Sequence, residues 1–161
     1  MLPSNYALEM PLTELRTAEL LVVTTLRLYA ASWRERGRLK WQSGLSAAGL
    51  DGEATDAFSD FFAIVAATAR RKLDVGCPHC QILSPDEGLF LQLVGSLQRR
   101  RTREAAIILD DWIAPEAPSH GLALIGTFAD ALTRSGLIIP PRHTALCAAS
   151  ALHQSGFALL H

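Results

Sequence analysis

The residues best placed to do chemistry in this chain are Cys77 and Cys80, which enclose Pro78 and His79 in a Cys-Pro-His-Cys run. Two thiols at this spacing can share one metal ion or close a small disulfide loop. A structural zinc needs two more ligands. His143 and Cys147 are four residues apart and lie on one face if residues 143–154 form a helix. The expected metal set is therefore Cys77, Cys80, His143 and Cys147, with His79 and His120 as substitutes. Sixty-two residues separate Cys80 from His143, so folding would have to unite the two pairs. Redox catalysis of the thioredoxin kind places such a motif after a strand and at a helix N-terminus, whereas here a helical pattern precedes it and Pro85 sets the next helix start beyond it. Spacing alone ranks small, inert loop or core residues first, structural zinc second and redox catalysis third.

Basic side chains form the second constellation. Eleven of the 15 lie in three clusters: Arg34, Arg36, Arg38 and Lys40; Arg70, Arg71 and Lys72; Arg99, Arg100, Arg101 and Arg103. They could bind phosphate. Each cluster, however, follows the C-terminal end of an expected helix, while Glu14, Glu53, Asp86, Glu87 and Glu104 fall in first turns. Complementing the helix dipoles explains this without a partner. No basic-plus-aromatic motif accompanies the clusters, so a nucleic-acid surface is the minor alternative. Asp110 and Asp111, beside Trp112, are the remaining acid–base candidates. Neighbouring helical residues point about 100° apart, which predicts an exposed acidic face rather than a shared site. Dinucleotide and phosphate loops, His-Glu-x-x-His, the Gly-x-Ser-x-Gly elbow and di-iron Glu-x-x-His pairs are missing from the sequence.

The elements that would position these residues are helical. Leu15, Ala18, Val22, Leu26, Tyr29 and Trp33 recur at three- and four-residue steps and predict a helix over 14–36, stopped by Gly37. A looser stretch, 38–52, leads to a second helix over 53–72, with Phe58, Phe61, Phe62, Val65 and Ala69 as its stripe. The strongest local signal is Ser84-Pro85-Asp86-Glu87, a capping serine, a proline at the first helical position and a glutamate that closes a capping box. A helix starts there and runs to the arginine cluster, continuing or restarting over 103–113. Ser119 is expected to cap a helix to Arg134, residues 137–141 look extended, and a last helix is expected over 143–154. The fold class is all-α: one domain, 1–161, in a compact bundle of five or six helices.

Composition agrees. Hydrophobic residues make up 49% of the chain, mean hydropathy is +0.18, net charge is −1 and the pI is about 6.5. A packed core is expected, and the overall field neither attracts nor repels nucleic acid or an anionic membrane. The apolar runs 18–31 and 121–139 carry Glu19 and Arg27, and Asp130 and Arg134, so neither makes a good membrane span. Glu9, Glu14 and Glu19 interrupt the first 30 residues and no basic leader precedes an apolar stretch, which predicts a cytoplasmic protein with reduced or metal-bound thiols rather than a disulfide framework.

From Gly76 onward, the cysteine pair, Leu83-Ser84-Pro85-Asp86-Glu87 before an apolar helix, Trp112, and Ile139-Pro140-Pro141-Arg142 near the end are together similar to a group of small uncharacterised bacterial helical proteins. The likeness covers roughly the C-terminal half and excludes the His143–Cys147 pair. It implies a bacterial, intracellular, helical protein and brings no activity with it. The expected function is a non-catalytic module that binds another protein or itself. A zinc-supported module built on Cys77 and Cys80 is the first alternative, and a nucleic-acid-associated protein using the arginine clusters the second.

Overall fold

The structure is a computed structural model that describes residues 2–36 and 40–143. After a short 3-10 turn, Leu12–Glu14, six α-helices follow among the described residues: α1 (Thr17–Arg34), α2 (Ser43–Ala47), α3 (Gly52–Thr68), α4 (Pro85–Gln98), α5 (Thr102–Trp112) and α6 (Pro118–Arg134). Strand-like pairing is limited, among the described residues, to two isolated antiparallel bridges, Pro11 with Ile82 and Ala69 with Ile113. The all-α expectation holds.

The bundle is organised around α4. Asp86 through Leu91 and Leu93 through Ser96 are all buried, so this helix has almost no solvent face and must lie at the centre. It packs on α5 and α6, and α6 packs on α3. Between α1, α3, α4 and α6 sits an aromatic cluster. Phe58, fully buried, lies 5.5 Å from Tyr29, 5.4 Å from Trp41, 4.9 Å from Phe62 and 5.1 Å from Phe128, measured between ring centroids. Each such ring contributes about 1.5–3 kcal/mol through burial, and the mostly edge-on or tilted arrangement adds to this.

Helix boundaries follow local chemistry. The Ser84 hydroxyl accepts from the Glu87 N–H at 3.2 Å and the Glu87 carboxylate accepts from the Ser84 N–H at 2.8 Å, which is the capping box expected for α4. Asp51 caps α3 by accepting from the Ala54 N–H at 2.9 Å.

Helix α2 occupies part of the stretch 38–52 expected to be loose, α1 ends at Arg34 rather than Arg36, and three further boundaries differ from expectation. Helix α1 begins at Thr17 rather than Glu14, which belongs to the 3-10 turn. Helix α3 ends at Thr68 rather than Lys72, because the Arg70 N–H turns to the Trp112 carbonyl at 2.8 Å and the Thr68 carbonyl receives the Ala114 N–H at 2.9 Å. Helix α6 starts at Pro118, with Ala117 in the cap position, so Ser119 sits inside the first turn and caps nothing. The helix expected over 143–154 lies outside the described residues except for His143.

Candidate functional site

The Cys-Pro-His-Cys run sits in the loop 74–83 between α3 and α4, and a buried ion pair anchors it. Arg27, in the middle of α1, is 1% exposed and Glu87, in the first turn of α4, is 0% exposed. The Arg27 Nε donates to Glu87 Oε1 at 2.7 Å and Nη2 donates to Oε2 at 2.9 Å. The same guanidinium donates to the Cys80 carbonyl through Nη1 and to the Ile82 carbonyl through Nη2 at 2.8 Å. Glu87 also accepts from the Gly76 N–H at 2.9 Å. The pair can be buried because Glu87 accepts four hydrogen bonds and Arg27 donates four, which offsets the cost of desolvation. Gly76 belongs to this arrangement: a Cβ placed on it would stand 2.8 Å from the Arg27 guanidinium, so only glycine lets the loop approach this closely.

A second anchor holds the preceding segment. Arg71 donates to both carboxylate oxygens of Asp86, at 2.9 and 2.7 Å, and to Asp111 at 2.8 Å, while Asp86 also accepts from the Asp74 N–H at 2.7 Å. The hydrogen bonds it donates to Asp86 are the main reason the Arg71 guanidinium is held more firmly protonated than usual, against the opposing effect of burial. On the far side of the loop, the Leu12 N–H donates to the Gln81 carbonyl at 2.9 Å and the Leu83 N–H to the Met10 carbonyl at 2.8 Å.

Within this frame Cys77 and Cys80 are joined as a disulfide, with Cα atoms 5.2 Å apart. Cys77, Pro78 and His79 are exposed and Cys80 is half-buried. The Cys77 N–H points at the Cys80 sulfur, 3.2 Å away, and the Cys80 N–H donates to the Cys77 carbonyl at 3.1 Å, closing a tight turn. The two sulfurs thus stand at disulfide distance, the alternative to a shared metal that this spacing allows. No group of three or more His, Cys, Asp or Glu among the described residues is placed to hold a metal. His79, His120 and His143 are all exposed, and Cys147 lies outside the described residues. The structure brings Cys77 and Cys80 together and does not show the expected four-ligand set.

The segment that carries the cysteines also forms one wall of a groove. Leu26, Tyr29, Ala30 and Trp33 of α1 face Phe62, Val65 and Ala66 of α3, and residues 69–75, including Lys72, Leu73 and Val75, close one side. The cavity holds about 260 Å³ and its lining is almost wholly apolar. Trp33, on its rim, is 63% exposed.

A third cluster ties the chain's described ends together. Glu19 is fully buried and accepts from the Tyr6 hydroxyl at 2.7 Å, the Arg16 N–H at 2.7 Å, and Arg142 at 2.7 and 2.8 Å. Burial works to raise its pKa, but the bonds from Arg142, Arg16 and Tyr6 outweigh it and hold the carboxyl below its ordinary value. Burial, and then the bond to Glu19, push the Tyr6 hydroxyl well above its ordinary value.

Five residues of the basic clusters have internal partners. Besides Arg71, Arg70 donates to the Asp110 carbonyl at 2.7 Å, Arg99 to the Ile139 carbonyl at 2.9 Å, and Arg100 and Arg101 pair with Asp130 and Glu104 at 3.5 Å. Dipole complementation accounts for Arg34 and Arg134, which lie in last turns. Tertiary bonding accounts for Arg70, Arg71, Arg99 and Arg100, and a local pair three residues apart for Arg101. Asp111 turns to Arg71 while Asp110 is exposed, so the two carboxylates do not share a site.

Glu19 and Arg27 are the positioning residues that sequence reasoning missed. Their signal was present, since two charges inside the apolar run 18–31 of a buried helix require buried partners.

Comparison of the chain with protein-family models, curated proteins and solved structures gives no significant match.

Proposed function

We propose that this chain is a protein-interaction module whose groove between α1 and α3 receives an apolar, acid-flanked helix of another protein. The observation that carries the reading is the apolar groove with the exposed Trp33 on its rim. Its volume of about 260 Å³ falls below the roughly 300–1,000 Å³ of small-molecule pockets. It suits one or two apolar anchor side chains of a helix laid along it. Tryptophan is among the residues that most often dominate such interfaces.

Charge supports the choice of partner. Arg34 and Arg36 follow Trp33, and Lys72 lines the groove; all three are exposed, against Glu35 among them. A second copy of the chain related by a two-fold axis would set this basic rim against itself, so a different, acidic partner fits better.

The test is titration with two amphipathic helical peptides that share one apolar stripe, one flanked by glutamates and the other by lysines. The acidic peptide should bind and the basic one should bind more weakly. Trp33→Ala should weaken the acidic complex by about 30-fold, the effect of losing a hot-spot side chain. Ala66→Arg, at an exposed position on the groove wall, should do the same without unfolding the chain. Equal affinity for the two peptides, or binding unchanged in both variants, would reject the reading. A concentration-dependent dimer in sedimentation, lost in Ala66→Arg, would instead assign the groove to a second copy.

A further inference from the structure

We propose that Cys77 and Cys80 form a reversible dithiol–disulfide couple that exchanges with a disulfide-bearing substrate, Cys77 making the mixed disulfide and Cys80 resolving it. The loop does not rely on the cross-link for its shape. Arg27 holds the Cys80 and Ile82 carbonyls, Glu87 holds the Gly76 N–H, and Met10 and Leu12 pair with the far side. With the sulfurs reduced, those bonds remain and keep the two Cα atoms near their 5.2 Å separation, inside the range from which a disulfide reforms without backbone movement.

Access is asymmetric. Cys77 is exposed and Cys80 is half-buried, so an incoming sulfur reaches Cys77 first. The Cys77 N–H, 3.2 Å from the Cys80 sulfur, favours negative charge there, which makes Cys80 the better leaving group when Cys77 is attacked. Both features assign the same direction to the pair. The site also adjoins the groove, whose lining ends at Val75, two residues before Cys77.

In the direction that oxidises the pair, Cys77 loses its proton to water and its thiolate attacks one sulfur of the substrate disulfide. That bond breaks and releases a substrate thiolate, which takes a proton from water. Cys80 then loses its proton to water and attacks the Cys77 sulfur, releasing the second substrate thiolate, which also takes a proton from water. The dithiol gives up two electrons and two protons, and the substrate gains both.

The test uses the full chain carrying Cys147→Ser, with glutathione disulfide as the probe and mass spectrometry as the readout. The reduced protein should end as the Cys77–Cys80 disulfide with release of two reduced glutathiones. Adding Cys80→Ser should leave one stable glutathione on Cys77, whereas with Cys77→Ser the adduct on Cys80 should form at least about tenfold more slowly. Circular dichroism of each variant should match that of the unsubstituted chain, since the loop's shape is set by Arg27 and Glu87. A peptide disulfide flanked by acidic, apolar residues that reacts faster than glutathione disulfide would assign a protein substrate; equal rates would assign a small disulfide. Equal trapping on the two single variants would overturn the proposal. So would a reduced protein that stays unoxidised, or one that retains a zinc equivalent against the disulfide.

Discussion

The Arg27–Glu87 clamp makes the most demanding prediction. Arg27→Met keeps the length of the side chain's stem and removes the guanidinium, leaving the Glu87 carboxylate at 0% exposure with the Gly76 and Ser84 N–H groups as its remaining partners. Removing one partner of a buried pair costs about 3–5 kcal/mol, because the other charge stays desolvated without its counter-charge. The freed Cys80 and Ile82 carbonyls add little, since Ile82 is 49% exposed and Cys80 half-buried, so water can replace the lost donors. Total stabilities of small domains are about 5–15 kcal/mol, so the variant should be close to unfolding at room temperature. Urea denaturation should show the midpoint fall at an unchanged slope. Glu87→Gln alone should cost about as much, since it leaves the Arg27 charge buried without its counter-charge and, whichever way the amide lies, turns its NH2 toward an Arg27 N–H and a backbone N–H. The double variant should recover part of the Arg27→Met loss, giving a coupling of about 1–3 kcal/mol. A loss below about 1 kcal/mol for Arg27→Met, the size of a surface ion pair, would refute the idea that this pair holds the loop.

Two further expectations concern the helix starts. Ser84→Ala should lower stability by about 1 kcal/mol through loss of the Glu87 N–H acceptor, and an unchanged denaturation midpoint would remove the cap from the account. Glu19 has a lowered pKa in the folded chain, so the stability it contributes is present above its unfolded value near 4.5 and is lost as pH falls through the folded value. The stability gap between the unsubstituted chain and Glu19→Gln should therefore be widest near neutrality and shrink in acid; a pH-independent gap in thermal melts would contradict this.

What could be read from the sequence was what neighbouring residues settle among themselves. The stripe through Val22, Leu26 and Tyr29 and the Ser84-Pro85-Asp86-Glu87 run specify helices from contacts within one or two turns. One boundary moved because a distant partner intervened, where the Trp112 carbonyl takes the Arg70 N–H and α3 ends early; the starts of α1 and α6 moved through local turns. The clamp was not readable in this way. Arg27 and Glu87 are 60 residues apart, and nothing in the spacing of either names the other. The basic clusters misled for the same reason. Their position after helices matched the dipole rule, yet Arg71 is committed to Asp86 and Asp111, carboxylates 15 and 40 residues away. For the cysteines, the sequence showed the pair and its reach but not the loop that presents Cys77 outward and turns Cys80 in.

The groove and the cysteine loop share a foundation, and this bears on how the two proposed activities relate. Residues 69–76 run between them, fixed at one end by the Arg70 N–H on Trp112, in the middle by Arg71 on Asp86, and at the other end by the Gly76 N–H on Glu87. Leu73 and Val75, which wall the groove, lie between the last two of these anchors. Asp86 and Glu87 are adjacent in the first turn of α4, the most deeply buried helix, so the post that sets the groove wall is the same post that sets the cysteine turn. A rigid post of this kind favours independence. With Gly76 pinned against Arg27, a change at Cys77 meets a fixed point before it reaches Val75, and the groove should keep its shape in either redox state. Peptide affinity measured on reduced and oxidised protein should then differ by less than about threefold, well under the 1.4 kcal/mol that a tenfold change represents. A larger difference would mean that the Arg27–Glu87 clamp yields when the sulfurs part, and that the loop and the groove act as one element.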